Sequence, residues 1–420
     1  MNAFKDYLHL LRTYPRYLIF GMLHMFYSSP GQTFAVAIFV PSLTAAFGLG
    51  AGGFGLLYST ATLASALLLP FLGPMVDRHN LRIYSVCVGV GMMIGCLITA
   101  TATIIPLLFT GILMLRLFGQ GLMTQIAGVA TTRFFGDQRG KALAIVGLGF
   151  SAGIAVFPVT LALLISIFDW QETMVIVAAS CLFLFMPISL GLLKKTDRYQ
   201  QPPQTNLKSG EVGGKIWTRK DVLQMPFFYF SVPMALLIPF VSTGLIIHLG
   251  SIADYKGWSL EWVAACFAIS AITGRIGSFW MGSVVDRYKA RTVYPYVLIP
   301  YICGLVILAS GTHAAMAPIW LFFSGLGVGC TNVTMSVLWA EAFGVQSLGV
   351  ITSLITSASV FATALSPVLF GWLIDLGVPI TAIVVGSIAL TMFVSILAFL
   401  SPYPSKKTDS QFLSTITSND

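Results

Sequence analysis

The chain has 420 residues, of which 56% are hydrophobic and 9% are charged. Soluble domains carry about 25% charged residues, so this composition excludes a water-soluble globule. The formal net charge of +8 does not indicate nucleic-acid binding, because the Lys and Arg residues lie mostly in polar segments between long apolar stretches. No nucleic-acid partner is therefore expected.

The apolar residues form twelve stretches, each long enough to cross a hydrocarbon core of about 30 Å as a helix. Barrel strands would instead alternate polar and apolar residues over about 10 positions. The sequence therefore predicts an all-α integral membrane protein in a lipid bilayer. The predicted spans lie near 17–47, 53–73, 83–104, 106–131, 142–167, 173–193, 225–250, 260–282, 292–311, 316–338, 347–373 and 379–401.

The positions of the cations predict the orientation of the chain. All but three of the 23 Lys and Arg residues fall on one side of the spans; the exceptions are Arg116, Lys256 and Arg275. Loops rich in Lys and Arg stay in the cytoplasm, so both chain ends and the loop at 194–220 are predicted to be cytoplasmic. The first apolar run shows no cleavage pattern and is not predicted to be a signal peptide. We expect the inner (plasma) membrane of a bacterium.

A linker and an internal repeat divide the chain into two halves. The polar stretch 194–221 is rich in Pro, Gly, Gln and Lys, which is typical of a linker. GPMVDR at 73–78 recurs as GSVVDR, and RFFGDQRGKALAI at 133–145 pairs with EAFGVQSLGVI, at offsets of 209 and 208 residues. Repeated halves occur in transporters that bind substrate between them. The predicted division is 1–193 (N-terminal half), 194–221 (linker), 222–403 (C-terminal half) and 404–420 (tail).

The chain resembles the major facilitator superfamily, whose signature after span 2 is Gly-x-x-x-Asp-Arg-x-Gly-Arg. This sequence has Gly73, Asp77, Arg78 and Arg82, and it departs at Asn80, where the family has Gly. Because Asn tolerates positive φ better than most residues, the turn is expected to survive. The resemblance implies twelve transmembrane helices in two pseudo-symmetric six-helix halves, a monomer, no cofactor and no enzymatic activity.

Four further stretches resemble the bacterial monocarboxylate-transporter branch of the superfamily, which includes oxalate/formate exchangers. They are FVPSLTAAFG before span 2, LLYSTATLASALLLPFLG within it, TTRFFGDQRGKALAI after span 4 and AITGRIGSFWMG in span 8. The resemblance implies alternating access around a cavity lined by spans 1, 4, 7 and 10, with an arginine of span 8 in the substrate site.

The repeated charged turn is interpreted as a gate on the cytoplasmic side. In the superfamily the carboxylate of this turn pairs with nearby arginines and keeps that side closed. The repeat predicts two ion pairs, Asp77–Arg133 and Arg287–Glu341. The alternative is that the arginines of the turns only anchor the topology. The predicted gate residues are Asp77, Arg78, Arg82, Arg133, Asp286, Arg287 and Glu341.

Two arginines lie inside predicted spans, Arg116 in span 4 and Arg275 in span 8. A charge at a helix centre costs about 2.5–3.5 kcal/mol on insertion scales, and such residues are functional candidates. Arg275 matches the substrate arginine of the monocarboxylate branch in position and context; a structural hydrogen bond is the alternative. Arg116 lies in Arg-x-x-Gly-x-Gly, which resembles the span-4 signature of proton antiporters, so substrate binding, coupling and packing stay open for it.

The acidic residues are placed differently from the cations. None of the 15 Asp and Glu residues lies near the middle of a predicted span. Two buried cations without a buried acid predict a positive cavity, which favours an anionic small-molecule substrate over a cationic drug. Eukaryotic members of the branch have an Asp where this chain has Ala271, so carboxylate-based proton coupling is not indicated. His24 and His248 are the alternative titrating groups, although a single His more often bridges helices.

Other polar residues on the cavity spans complete the predicted substrate site, each with helix–helix hydrogen bonding as its alternative. Two of them flank the Ser-Ser-Pro-Gly break in span 1. The set is Tyr27, Gln32, Gln120, Gln125 and Asn332. Glycine-rich runs such as 325–329 follow no strand and lack the P-loop Lys, and neither a metal site nor a catalytic constellation is indicated.

The leading hypothesis is a secondary transporter that moves a small organic anion, a monocarboxylate, by proton symport or anion exchange. The alternative is an efflux transporter for drugs or a larger metabolite such as a siderophore. The antiporter-like span 4 favours efflux, and the absence of a buried acid disfavours it. A transporter-like sensor is a third hypothesis, but the linker and tail are too short to hold a signalling domain.

Overall fold

The computed structural model describes residues 2–193, 217–344 and 347–402, and the regular structure within these ranges is helical. Within them, twelve segments are long and apolar enough to cross a membrane, which confirms the predicted fold class. Spans 1 to 12 are Pro15–Phe47, Ala51–Arg78, Leu81–Ala100, Ile105–Phe135, Arg139–Ile167, Trp170–Leu192, Pro226–Ile247, Leu260–Tyr288, Ala290–Ser310, Met316–Phe343, Ile351–Asp375 and Ile380–Phe399.

Span 1 is interrupted where its Ser-Ser-Pro-Gly sequence predicts a break. A short 3-10 turn at Ser29–Gly31 separates the helices Pro15–Tyr27 and Thr33–Phe47. A Cβ on Gly31 would overlap the carbonyl oxygen of Leu115 in span 4. Glycine at this position therefore allows the interrupted backbone of span 1 to approach span 4 directly.

Span 4 contains a stretch of π-helix that the sequence did not predict. Residues Leu115–Met123 are π-helical, between the α-helices Ile105–Met114 and Thr124–Phe135. Such turns are rare and are frequently found at functional sites. Arg116 lies in this stretch, so its side chain leaves the helix at a point where the regular α-helical bonding has changed.

Among the described residues, three shorter α-helices lie outside the spans, at Asn2–Thr13, Arg219–Gln224 and Leu249–Lys256. The second begins inside the stretch predicted to be a linker, because the side chains of Thr218 and Asp221 form a capping box at its start. The preceding residues of the predicted linker, 194–216, and the tail from residue 403 onward lie outside the described residues.

The two halves meet where span 2 lies against span 11 and span 5 against span 8. Spans 1 and 12 place the described ends of the chain on one side of the bundle, called here the terminal side; the opposite side is the far side. On the far side, the carboxylate of Asp375 accepts hydrogen bonds from the backbone N–H groups of Ala51 (2.9 Å) and Gly52 (2.8 Å). Because Asp375 ends span 11 and Ala51 begins span 2, these bonds join the two halves.

The two copies of the charged turn fold differently. The first forms a short helix, Met75–Arg78, and the side chain of Asn80 then caps span 3 by accepting from the backbone N–H of Arg82 at 2.9 Å. Asn80 has a φ of −61°, so the turn does not use the positive φ that Asn tolerates. In the second copy span 8 continues as one helix to Tyr288, and Lys289 has a φ of 64°.

Candidate substrate site

A cavity of about 330 Å³ lies between the two halves at mid-depth. Its volume is near the lower end of the roughly 300–1,000 Å³ that ligand pockets occupy. Spans 1, 5, 7, 8 and 10 contribute its wall. The expectation that span 4 lines the cavity is wrong for the described residues, because span 5 takes that place beside span 8.

Arg275 lies halfway along span 8, at the boundary between the halves. Its Nε donates to the Oγ of Ser151 at 2.7 Å, and its Nη2 donates to the carbonyl oxygen of Gly147 at 2.5 Å. Both acceptors belong to span 5. Arg275 also lines the cavity, and the described residues of the wall include no Asp or Glu. The same guanidinium therefore holds the opposite half and gives the cavity its positive charge.

Two more predicted site residues line the cavity. Gln32 follows the break in span 1 and is buried, and its side-chain amide donates to the Oγ of Ser28 at 3.4 Å. Asn332 lies on span 10 with an exposed side chain. With Arg275, they bring polar groups from both halves to one space.

Arg116 is buried within the N-terminal half and is not part of the cavity wall. Its Nε donates to the Oγ1 of Thr62 at 3.1 Å, and its Nη1 donates to the carbonyl oxygen of Gly31 at 3.0 Å. Its guanidinium carbon lies 4.8 Å from the ring centre of Tyr58, within cation–π range. Since Gly31 lies at the break in span 1, Arg116 supports the interrupted backbone. The structure thus favours the packing alternative for Arg116.

His24 and Tyr27 lie among the helices of the N-terminal half, outside the cavity wall. His24 is fully buried, and its ring nitrogens lie 2.8 Å from the carbonyl oxygen of Phe20 and 2.6 Å from the Oγ of Ser85. The hydroxyl of Tyr27 donates to the carbonyl oxygen of Ser180 at 3.4 Å. Both side chains therefore make the helix–helix contacts that were their alternative.

His248, Gln120 and Gln125 are also outside the cavity wall. His248 follows span 7 on the far side, and its Nε2 lies 2.9 Å from the carbonyl oxygen of Pro367 in span 11. Gln125 lies on span 4 towards the terminal side, where a Cβ on Gly73 would meet its amide. Gln125 thus packs beside the charged turn instead of facing the predicted substrate.

The first predicted gate pair is present as an ion pair between the Nη2 of Arg133 and the Oδ1 of Asp77. It connects the short helix Met75–Arg78, at the end of span 2, to the end of span 4. The side chain of Asp77 is 50% exposed and that of Arg133 is 19% exposed. Such solvent-accessible pairs contribute about 1 kcal/mol or less, so a conformational change can break this pair at a small cost.

The second predicted gate pair is wrong for this conformation, since no ion pair joins the described residues Arg287 and Glu341. The Oε1 of Glu341 instead accepts from the backbone N–H of Ala290 at 3.3 Å, at the start of span 9. The guanidinium carbon of Arg287 lies 5.3 Å from the ring centre of Tyr288. Glu341 therefore caps the N-terminus of span 9 and forms no ion pair with Arg287.

The other gate candidates lie on the terminal side. Arg78 and Asp286 are exposed, and Arg82 is half-buried in the first turn of span 3. These positions fit a topological anchor as well as they fit a gate.

Three contact residues between the halves were not predicted. Ser151 and Gly147 gave no signal, because a small residue inside an apolar helix does not reveal which neighbour it faces. Asp375 did leave a signal in the sequence. It is an acid at the end of span 11, and the glycine-rich start of span 2 offers free N–H groups on the same side of the membrane.

A comparison with models of protein families matches residues 22–320 and 276–416 to the Major Facilitator Superfamily. The chain belongs to the major facilitator superfamily. It is accordingly a membrane transporter of small molecules and not an enzyme. The match is to the superfamily as a whole and does not distinguish its monocarboxylate branch.

Solved structures of other transporters share the fold of this superfamily member. A bacterial homolog of the human lysosomal transporter Spinster, in an inward-facing and occupied conformation, aligns with a TM-score of 0.70 at 16% identity, over 92% of this chain and 97% of that one. The nucleoside transporter NupG aligns with a TM-score of 0.68 at 12% identity, over 92% and 97%. At these identities the likeness shows the fold alone. A comparison with curated protein sequences finds no match.

Proposed function

We propose that this transporter carries a small organic anion, a monocarboxylate, and that Arg275 binds its carboxylate. The observation that carries the proposal is a guanidinium in an inter-half cavity whose described wall includes no Asp or Glu. The guanidinium has a planar fork of N–H donors that matches a carboxylate. A cationic substrate would meet an uncompensated positive charge in the same place.

Substrate binding is coupled to movement through the two bonds that Arg275 makes to span 5. In the structure this side chain holds the halves together at Ser151 and Gly147. A bound carboxylate competes for the same N–H donors and replaces neutral acceptors with a charged one. Arg275 then binds the substrate and no longer holds span 5. The two halves can therefore move relative to each other around the bound substrate, as alternating access requires.

Contacts between the two halves close the far side. Asp375 and the start of span 2 seal the far side in this conformation. The terminal side carries the predicted Lys- and Arg-rich loops, so by the positive-inside rule we place it in the cytoplasm of a bacterium, with the protein in the inner membrane. The conformation is then inward-facing.

The ionisable groups that line the cavity indicate how substrate transport is coupled to a proton or to a second anion. Ala271 lines it one helical turn before Arg275, while His24 and His248 do not line it. Arg275 is the one ionisable side chain among the described residues of the wall. This arrangement supports anion exchange, or symport of a proton bound to the substrate itself, over a proton carried by a side chain.

The alternative function is export of a drug or of a larger metabolite such as a siderophore. The apolar part of the wall, including Phe267 and Leu321, favours this alternative. Arg275 without a nearby acid disfavours cationic drugs.

Thermal unfolding of the purified protein tests the proposal. Acetate, lactate, formate and oxalate are compared with acetamide, a neutral match for acetate, on wild type, Arg275→Lys and Arg275→Gln. A ligand at about 100 times its Kd adds roughly 2.7 kcal/mol, which is a measurable shift. We expect at least one carboxylate to stabilise wild type, with less effect on Arg275→Lys and none on Arg275→Gln. An equal shift in all three proteins, or a response to neutral and cationic compounds alone, would favour the export function.

A further inference from the structure

We infer that the substrate has a single carboxylate and a bulky apolar group, and that Phe34 and Phe150 determine this specificity. The inference rests on the proposed function, because it takes Arg275 as the carboxylate site. It concerns the part of the substrate away from the carboxylate, which Arg275 does not contact.

The cavity offers one cation to a ligand. Arg275 lines it, whereas Arg116 is 2% exposed and is bound to Thr62 and Gly31 in the N-terminal half. A substrate with two carboxylates would pair one of them with Arg275 and leave the other without a cation. An ionised carboxylate that is buried without a partner is strongly disfavoured. Dicarboxylates such as oxalate are therefore poor ligands for this cavity.

Aromatic side chains from both halves lie in the wall. Phe34 of span 1 and Phe150 of span 5 lie edge to face, with ring centroids 6.0 Å apart and planes at 75°. Phe267 and Leu321 extend the apolar surface on the C-terminal half. Burial of an apolar group against such a surface is favourable in proportion to its area, and a second aromatic ring adds an edge-to-face contact.

Several hydroxyl groups of the wall already donate within the protein, whereas the buried Oγ of Ser324 has no hydrogen-bond partner among the described residues. Ser270 donates to the carbonyl of Phe267 at 2.8 Å, and Ser278 donates to that of Gly274 at 2.9 Å. The hydroxyls of Ser242 and Tyr301 lie 2.8 Å apart. These hydroxyls can still accept from a ligand, but Ser270 and Ser278 have no donor left for it. An apolar group needs no donor from the wall, so it suits this part of the cavity better than a polyhydroxylated one.

The experiment measures Kd by isothermal titration for acetate, phenylacetate, hexanoate and oxalate, with benzyl alcohol as the neutral aromatic control. The proteins are wild type, Phe150→Ala, Phe150→Leu and Phe279→Ala. Phe279 is a matched control, since it is a phenylalanine of span 8, is 71% exposed and does not line the cavity.

We expect wild type and Phe279→Ala to bind phenylacetate and hexanoate about tenfold or more tightly than acetate, because the apolar group is buried, and to bind oxalate more weakly than acetate. Phe150→Ala should reduce the preference for phenylacetate to a few-fold, and Phe150→Leu should retain the preference for hexanoate better than that for phenylacetate.

Three results would overturn the inference. Oxalate or acetate binding to wild type as tightly as phenylacetate, through Arg275, would refute it while leaving the proposed function intact. An unchanged phenylacetate preference in both Phe150 variants would refute the role of this residue. Binding of benzyl alcohol with no carboxylate bound would refute the inference and the proposed function together. The wild-type ratios decide the substrate class even if a Phe150 variant does not fold.

Discussion

Substitution of Asp375 should open the far side of the transporter. Its carboxylate accepts N–H donors from Ala51 and Gly52 at 2.9 and 2.8 Å, across the boundary between the halves. A hydrogen bond to a charged group contributes about 1.5–3 kcal/mol when buried, and an anion at a helix N-terminus gains roughly 0.3–1 kcal/mol. Asp375 is exposed, so solvent screening reduces the total, and we take about 1.4 kcal/mol, a tenfold change in the conformational equilibrium.

The assay is a distance measurement by double electron–electron resonance between spin labels on the two halves. Labels at Thr103→Cys and Ala314→Cys, both exposed on the far side, are placed in a Cys87→Ser background that removes the exposed native cysteine. Asp375→Ala should raise the population with long distances about tenfold relative to the parent. Asp254→Asn is the matched control, an exposed acid of the same side outside the seal.

An unchanged distance distribution in Asp375→Ala, or the same change in Asp254→Asn, would show that Asp375 does not hold the far side closed. Asp375→Asn separates the two contributions, because it keeps one acceptor oxygen and removes the charge. An intermediate population is expected for it.

Three further predictions concern the N-terminal half. Arg116→Met and Arg116→Lys should both lower the melting temperature by several degrees, because each loses buried bonds to Thr62 or Gly31 worth about 1–3 kcal/mol apiece; rescue by Lys in a differential scanning fluorimetry experiment would show that charge alone suffices. His24→Ala should also lower the melting temperature while leaving the pH profile of transport in proteoliposomes unchanged, and a shifted profile would restore its coupling role. Asp77→Asn should alter the transport rate by no more than about fivefold, because its pair with Arg133 is accessible to solvent, whereas a complete loss would show a larger role for the turn.

The fold could be predicted from the sequence because a membrane imposes long apolar helices on it. The break at Ser29–Gly31 was also visible, since proline and glycine weaken a helix locally. The π-helical stretch Leu115–Met123 was not visible, because no residue pattern marks it. It packs against the interrupted backbone of span 1 at Gly31.

The candidate site was predicted only in part. Arg275 stood out because a charge inside a span is rare, and the structure places it in the cavity. Arg116 gave the same signal, but its partners lie in its own half of the molecule. His24 and Tyr27 failed as cavity residues for a similar reason: a polar residue on an apolar helix indicates that a partner exists and does not indicate whether that partner is a substrate or the next helix.

The backbone at Lys289 has a practical consequence. Its φ of 64° with a ψ of 148° lies in a region that is essentially restricted to glycine, and a side chain there costs about 1–3 kcal/mol. Lys289→Gly should relax this strain and raise the thermal stability of the purified protein. The residue is remote from the cavity wall and from Asp375, so the gain should leave the substrate preference untouched. A stabilised form of this kind would be the natural starting material for crystallisation or cryo-electron microscopy with a bound carboxylate.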